Sequence, residues 1–133
     1  MSSQTAIPKL ALITGASKGI GRATALHLSS QGYLVAINYS SDSSAADALV
    51  SQIGADKCVA IKADAGDVSE IERLVEETVK WGKEHGTDGK IHVLIPNAAE
   101  AAVGKTLEAT SVEDFEKAMG LNVRGPFFLV QVC

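Results

Sequence analysis

Residues Leu12–Gly21 read LITGASKGIG. The apolar run LALIT (Leu10–Thr14) leads into this stretch, and helical spacing follows it from Gly19 to Gln31. Gly32 then stands just past the helix end, where a glycine suits the stop. A buried strand, a turn of small residues and a helix is the order that aims a helix N-terminus at whatever lies beyond the strand. Gly15 permits a tight turn, while Gly19 and Gly21 let a ligand and the neighbouring strand come close. The free N–H groups of the helix's first turn carry the positive end of its dipole, and a pyrophosphate fits there. Taken alone, the same glycines serve equally as a plain strand–helix connection.

Outward from this turn the chain alternates. YLVAINY (Tyr33–Tyr39), CVAIKA (Cys58–Ala63) and IHVLI (Ile91–Ile95) read as three more strands. Between the second and third, Ala46, Leu49, Val50 and Ile53 share a helical face that ends at Gly54. After the third, Asp67–Glu70 reads as a capping box with Glu70 reaching back to Asp67, followed by Ile71, Leu74, Val75 and Thr78, with Trp81 continuing the stripe. Thr110–Glu113 reads as a second capping box, with Phe115, Ala118 and Met119 on one face. NVRGPFFLVQVC reads as one further helix with a proline near its start. This alternation predicts an α/β fold, a Rossmann-type doubly wound parallel sheet. Right-handed crossovers order its strands 3-2-1-4, so ligands bind at the carboxyl ends of strands 1 and 4.

The chain has 133 residues, which predicts a single domain. A net charge of −4 argues against a nucleic-acid or anionic-membrane surface. The N-terminal MSSQTAIPKL has no signal-peptide pattern, and no apolar run is long enough to cross a bilayer. Cys58 and Cys133 form neither a disulfide framework nor a metal spacing, so the expectation is a cytoplasmic protein with no metal site.

The spacing G-x-x-x-G-x-G in TGASKGIG (Thr14–Gly21) is neither the common dinucleotide fingerprint nor a P-loop. Here the sequence resembles the short-chain dehydrogenase/reductase family, and three later stations agree in order and spacing: Asp64 after the third strand, PNAAE with Asn97 and Ala98 after the fourth, and LNVRGPFFL with Asn122. In that family's pattern, Pro96 replaces an asparagine and Ala99 a glycine. The resemblance runs from Leu10 onward. It implies cofactor contacts from Gly15, Ser17, Lys18, Gly19, Ile20 and Gly21 in the turn. It also implies contacts from Asn38, Tyr39 and Ser40 at the second strand's end, Asp64 and Ala65 after the third, and Asn97, Ala98 and Ala99 after the fourth. Asp64 stands where the family's aspartate meets the adenine amino group, and Asn122 at the place of the tetrad asparagine.

An acid at the end of the second strand would accept from a ribose 2′-hydroxyl and select NAD. Tyr39, Ser40 and Ser41 stand there instead, and Asp42 reads as the cap of the next helix. Lys18 projects from the turn toward the adenosine ribose or, alternatively, into solvent. The lysine and the missing acid together point to NADP(H), and Arg22 reads as solvent-facing. Four residues after Asn122, Pro126 offers no N–H to the Asn122 carbonyl; the helix kinks there, or Pro126 opens a new helix. In the family that carbonyl holds a water on a proton relay. His27, His85 and His92 read as structural or solvent-facing, and Glu100 as a surface acid or the edge of a substrate entrance.

The family's chemistry also uses a serine, a tyrosine and a lysine four residues after the tyrosine. Tyr33 and Tyr39 are followed at that distance by Ile37 and Ser43. The expectation is therefore the NAD(P)-binding domain of an NADP(H)-dependent carbonyl reductase or alcohol dehydrogenase, cut before its Tyr/Lys segment. Its implied partners are a small carbonyl or alcohol substrate and a second copy, as homodimer or homotetramer, through the apolar last helix. The alternative is a non-catalytic dinucleotide-binding fragment.

Overall fold

A computed structural model of the chain describes residues 6–101 and 104–133. Met1–Thr5, on which part of the reading of the N-terminus rests, lie outside the described residues.

The element order is β1 (Leu10–Ile13), α1 (Gly19–Ser30), β2 (Leu34–Tyr39), α2 (Ser43–Ile53), β3 (Cys58–Lys62), α3 (Val68–Glu84), β4 (Val93–Ile95), α4 (Val112–Met119), a π-helical turn (Gly120–Arg124) and α5 (Gly125–Val132). The four strands form one parallel sheet in the order β3-β2-β1-β4. Ile13 pairs with Ile37 on one side and with Ile95 on the other. The predicted switch point therefore exists: chain leaving β1 and chain leaving β4 emerge side by side at the same end of the sheet.

Strand pleating sends successive side chains to opposite faces, and two cores result. Leu12, Ala36 and Ile61 meet Ile71, Leu74 and Leu129 under α3 and α5. Ile13, Val35, Ile37 and Cys58 meet Ala25, Ala46 and Leu49 under α1 and α2. Leu12, Ile13, Ile37, Leu49, Ile71 and Leu74 are all fully buried, each contributing roughly 1.5–3 kcal/mol of burial free energy. Burial pushes the Cys58 thiol up to about 12, so it packs as a small apolar group.

Several local readings shift. β4 begins at Val93 rather than Ile91, because Nδ1 of His92 accepts the Leu10 N–H at 3.0 Å where a strand carbonyl would otherwise sit. Asp67 caps α3, accepting from the N–H groups of Ser69 (2.9 Å) and Glu70 (3.2 Å). The Glu70 carboxylate does not return to Asp67; it accepts from the N–H of Asp64 at 3.1 Å, since the Asp67 N–H already donates to the Asp64 carbonyl. The second box sits one residue later than read: Ser111 is the cap and Asp114 its partner, at 3.0 Å both ways. Phe115 and Met119 share a face of α4, but that helix buries none of its residues. The last segment is not one helix. Pro126 lacks the N–H that would hold the Asn122 carbonyl, and the chain widens into the π-turn just before it, where the Gly125 N–H donates to the Gly120 carbonyl five residues back.

Candidate cofactor-binding site

At the carboxyl ends of β1 and β4 the structure opens into a cleft of about 610 Å³, a size that suits a small-molecule site. Gly15, Asn38, Ser40, Asp64, Ala65, Asn97, Ala98 and Ala99, all expected from the sequence, line it. Ser17, Lys18, Gly19, Ile20, Gly21 and Tyr39 do not line that volume. Lys18, Gly19 and Ile20 are exposed at the start of α1, Gly21 is buried, and Tyr39 is half-buried against the α2 side of the core.

The floor of the cleft is a polar lock between the β1 and β4 loops. Thr14 is 2% exposed, and its Oγ1 accepts from the N–H groups of Asn97 and Ala98, both at 3.0 Å. The Asn97 carboxamide answers by donating to the carbonyls of Thr14 (3.1 Å) and Gly15 (3.0 Å). Asn38, also buried, accepts from the Gly15 N–H at 3.2 Å and donates to the Ala63 carbonyl at 2.9 Å, tying the turn to the loop after β3. Asn38 and Asn97 therefore brace the site from within. Thr14 belongs to the site though it was read only as part of a motif; a hydroxyl ending a wholly apolar strand was its signal.

The glycines meet strict demands. Gly15 and Gly19 lie in the left-handed region at φ +61° and +60°, which disfavours a side chain. A Cβ on Gly21 would stand 2.6 Å from Asn97 Nδ2 and 2.7 Å from the Gly15 carbonyl oxygen, so only glycine lets α1 press onto the lock. A Cβ on Gly19, by contrast, would meet nothing within 4 Å: the space beside the turn is open to a ligand.

Helix ends make the same point electrostatically. α2, α3 and α4 have their first N–H groups capped by Asp42, Asp67 and Ser111. α1 has Lys18 at its N-cap, with no side-chain cap and no acid in its first turn. Its N–H donors are left for an outside acceptor of negative charge. The residues present thus fit the pyrophosphate of a dinucleotide: donors unclaimed by side chains, open space beside Gly19, and a cleft leading away along Asp64 and Asn97.

Beyond the end of β2, Lys18 Nζ lies 3.4 Å from Asp42 Oδ2. The Ser44 hydroxyl (2.6 Å) and N–H (3.1 Å) hold Asp42 Oδ1, and with Lys18 they keep this carboxyl below its usual range. Arg22 donates to Gln52 at 2.7 Å, on the surface as expected. Asp64 Oδ1 accepts from the Gly66 N–H at 2.8 Å. At the far end, the Asn122 carboxamide clasps Glu100 twice at 2.8 Å, accepting from its N–H and donating to its carbonyl. Glu100 lines the cleft and pairs with Lys117 at 3.6 Å. Arg124 was not foreseen as part of the site; it lines the cleft and donates twice to the Gly66 carbonyl, at 3.3 and 3.2 Å. Among the described residues no cluster could hold a metal ion, and no helix is long and apolar enough to cross a membrane.

Known proteins resemble this chain in sequence and fold. The chain is 37% identical over 127 residues to a trihydroxynaphthalene reductase of Pestalotiopsis fici, covering 92% of the chain and 42% of that protein. It is 34% identical to a short chain dehydrogenase of Passalora fulva, covering 92% and 44%. Among solved structures, a short chain dehydrogenase of Burkholderia cenocepacia in complex with NADP superposes with a TM-score of 0.85 at 30% identity, covering 95% of this chain and 50% of that one. A blue fluorescent protein from a metagenomic library, in complex with NADPH, gives 0.83 at 33% identity, covering 93% and 49%. The chain therefore spans half or less of each of these proteins. The short chain dehydrogenase family model matches residues 9–133. With that match over nearly its whole length, this chain belongs to the short chain dehydrogenase family.

Proposed function

We propose that residues 1–133 are the NADP(H)-binding domain of an oxidoreductase that moves hydride between a nicotinamide ring and a small carbonyl or alcohol substrate. The observation that carries this reading is the uncapped start of α1, reached through a turn whose first residue, Gly15, lines a cleft together with Asp64 and Asn97. When bound, the nicotinamide supplies the hydride; the chain's own residues bind and orient. First-turn N–H groups of α1 hold the pyrophosphate, Asp64 accepts from the adenine amino group, and Lys18 meets a 2′-phosphate. The lock at Thr14 and Asn97 fixes the loop that continues through Ala98 and Ala99. Asn122 steadies the same loop through Glu100, and the π-turn beside Pro126 leaves its main-chain carbonyl available to a water.

The similar reductases named for hydroxynaphthalenes make a cyclic, naphthol-type ketone the first substrate class to test. Neither Tyr33 nor Tyr39 is followed by a lysine four residues on, so these 133 residues do not themselves supply the family's proton-transferring pair. The same fact favours a second reading, binding without turnover by this chain alone. We further assign it to the cytosol and to a homodimer or homotetramer packed through α5, where Phe127 and Val130 stand more than half exposed.

Fluorescence titration with NADPH and NADH tests the central part. NADPH should bind the more tightly, and Lys18→Ala should weaken it by roughly tenfold, the scale of one lost charge-assisted contact, with little effect on NADH. Equal losses for both coenzymes would overturn the NADP(H) assignment.

A further inference from the structure

The second strand ends without an acid in the position that selects NAD, yet a carboxylate stands three residues further on, beside Lys18. Asp42 lies three residues past Tyr39 and within 3.4 Å of the Lys18 ammonium. Two facts make it a fixture. Its Oδ1 is held by both the hydroxyl and the N–H of Ser44, and its place at the head of α2 is set by the helix itself. Lys18, 72% exposed, is the partner free to swing.

An anion arriving beside Lys18 therefore meets a cation already neutralised and a fixed negative charge next to it. A 2′-hydroxyl meets neither difficulty and can donate to the carboxylate. We propose that Asp42 is a specificity-determining residue, a counter-charge to Lys18 that restrains the preference for a 2′-phosphate and keeps NAD(H) usable. This rests on the reading that a nicotinamide dinucleotide binds along α1 and β2.

Asp42→Asn is the test, because asparagine caps a helix as well as aspartate and removes only the charge. Titrated on the full chain, the variant should bind NADPH about three- to tenfold more tightly, the range for one screened like charge, with NADH unchanged or weaker. Asp42→Glu, which restores the charge, should return the wild-type ratio. At high salt, where the Debye length falls to about 3 Å, wild type and Asp42→Asn should converge. A NADPH/NADH ratio unmoved by Asp42→Asn, or a change that persists at high salt, would overturn the proposal. If Asp42→Asn does not fold, Asp42→Ser, which also caps a helix, gives the answer: a raised NADPH/NADH affinity ratio supports the repelling carboxylate, and an unmoved ratio contradicts it. Failure of wild type to bind either coenzyme would instead overturn the underlying reading, so the two failures are distinguishable.

Discussion

At the scale of single residues, the site is held by side chains that never need to touch a ligand. Thr14 Oγ1 accepts from two backbone N–H groups. Thr14→Val keeps the shape and removes the acceptor. It should cost roughly 1–3 kcal/mol, the penalty for part-buried donors left unpaired, read as a lower urea midpoint with an unchanged slope. The sequence announced Thr14 as a letter in a motif but not as this double acceptor, because the partners lie 83 and 84 positions away. The same limit hid the Lys18–Asp42 pair. Each residue had a correct local reading, turn cation and helix cap, and only the fold brings their charges together.

Among the elements, what was legible followed from chain-local physics. β1, β2 and β3 stand within a residue of the apolar runs that announce them, and Asp42 and Asp67 cap as read. Errors arose where a choice between neighbours depends on packing: Ser111 rather than Thr110 caps α4, and Glu70 turns to Asp64 rather than Asp67. Pro126 did signal disruption, but its form, a π-turn, depends on the fit beside Ala65. A Cβ on Gly125 would collide with the Ala65 carbonyl oxygen.

The α4 cap has a pH signature. The Lys105 ammonium, followed by the Ser111 N–H and hydroxyl, lowers the Asp114 carboxyl from 3.8 to about 2. A depressed folded value means this contribution is complete above the unfolded value and is lost as the pH falls through the folded one. Local amide protection of α4 should therefore decline between about pH 4 and pH 2, and Asp114→Asn should flatten that dependence. Protection that is already gone at pH 5 would contradict the cap's role.

For the whole molecule, the sheet order expected from sequence is the one observed, since strands that follow one another usually lie side by side and right-handed crossovers fix which face of the sheet each helix covers. What the sequence could not decide is which side of a helix is covered. α5 is apolar nearly all round, yet Leu129 is 2% exposed while Phe127 is 64% and Val130 61%. One side packs on α3 and the sheet, and the other stands free. The proposed association through α5 predicts a concentration-dependent mass in sedimentation equilibrium that Phe127→Asp shifts to monomer, with coenzyme affinity retained. A monomer at all concentrations in the parent chain would remove that part of the account.

The central claim is that the unclaimed amides at the head of α1 grip a doubly phosphorylated dinucleotide. Backbone amide NMR of the folded chain, titrated with NADPH, tests it most directly. The account predicts that Ser17, Lys18, Gly19, Ile20 and Gly21 show the largest shifts, with smaller ones at Asp64 and Ala98. Saturable binding that leaves those five amides unmoved, or a well-dispersed spectrum that does not respond at all, would contradict it.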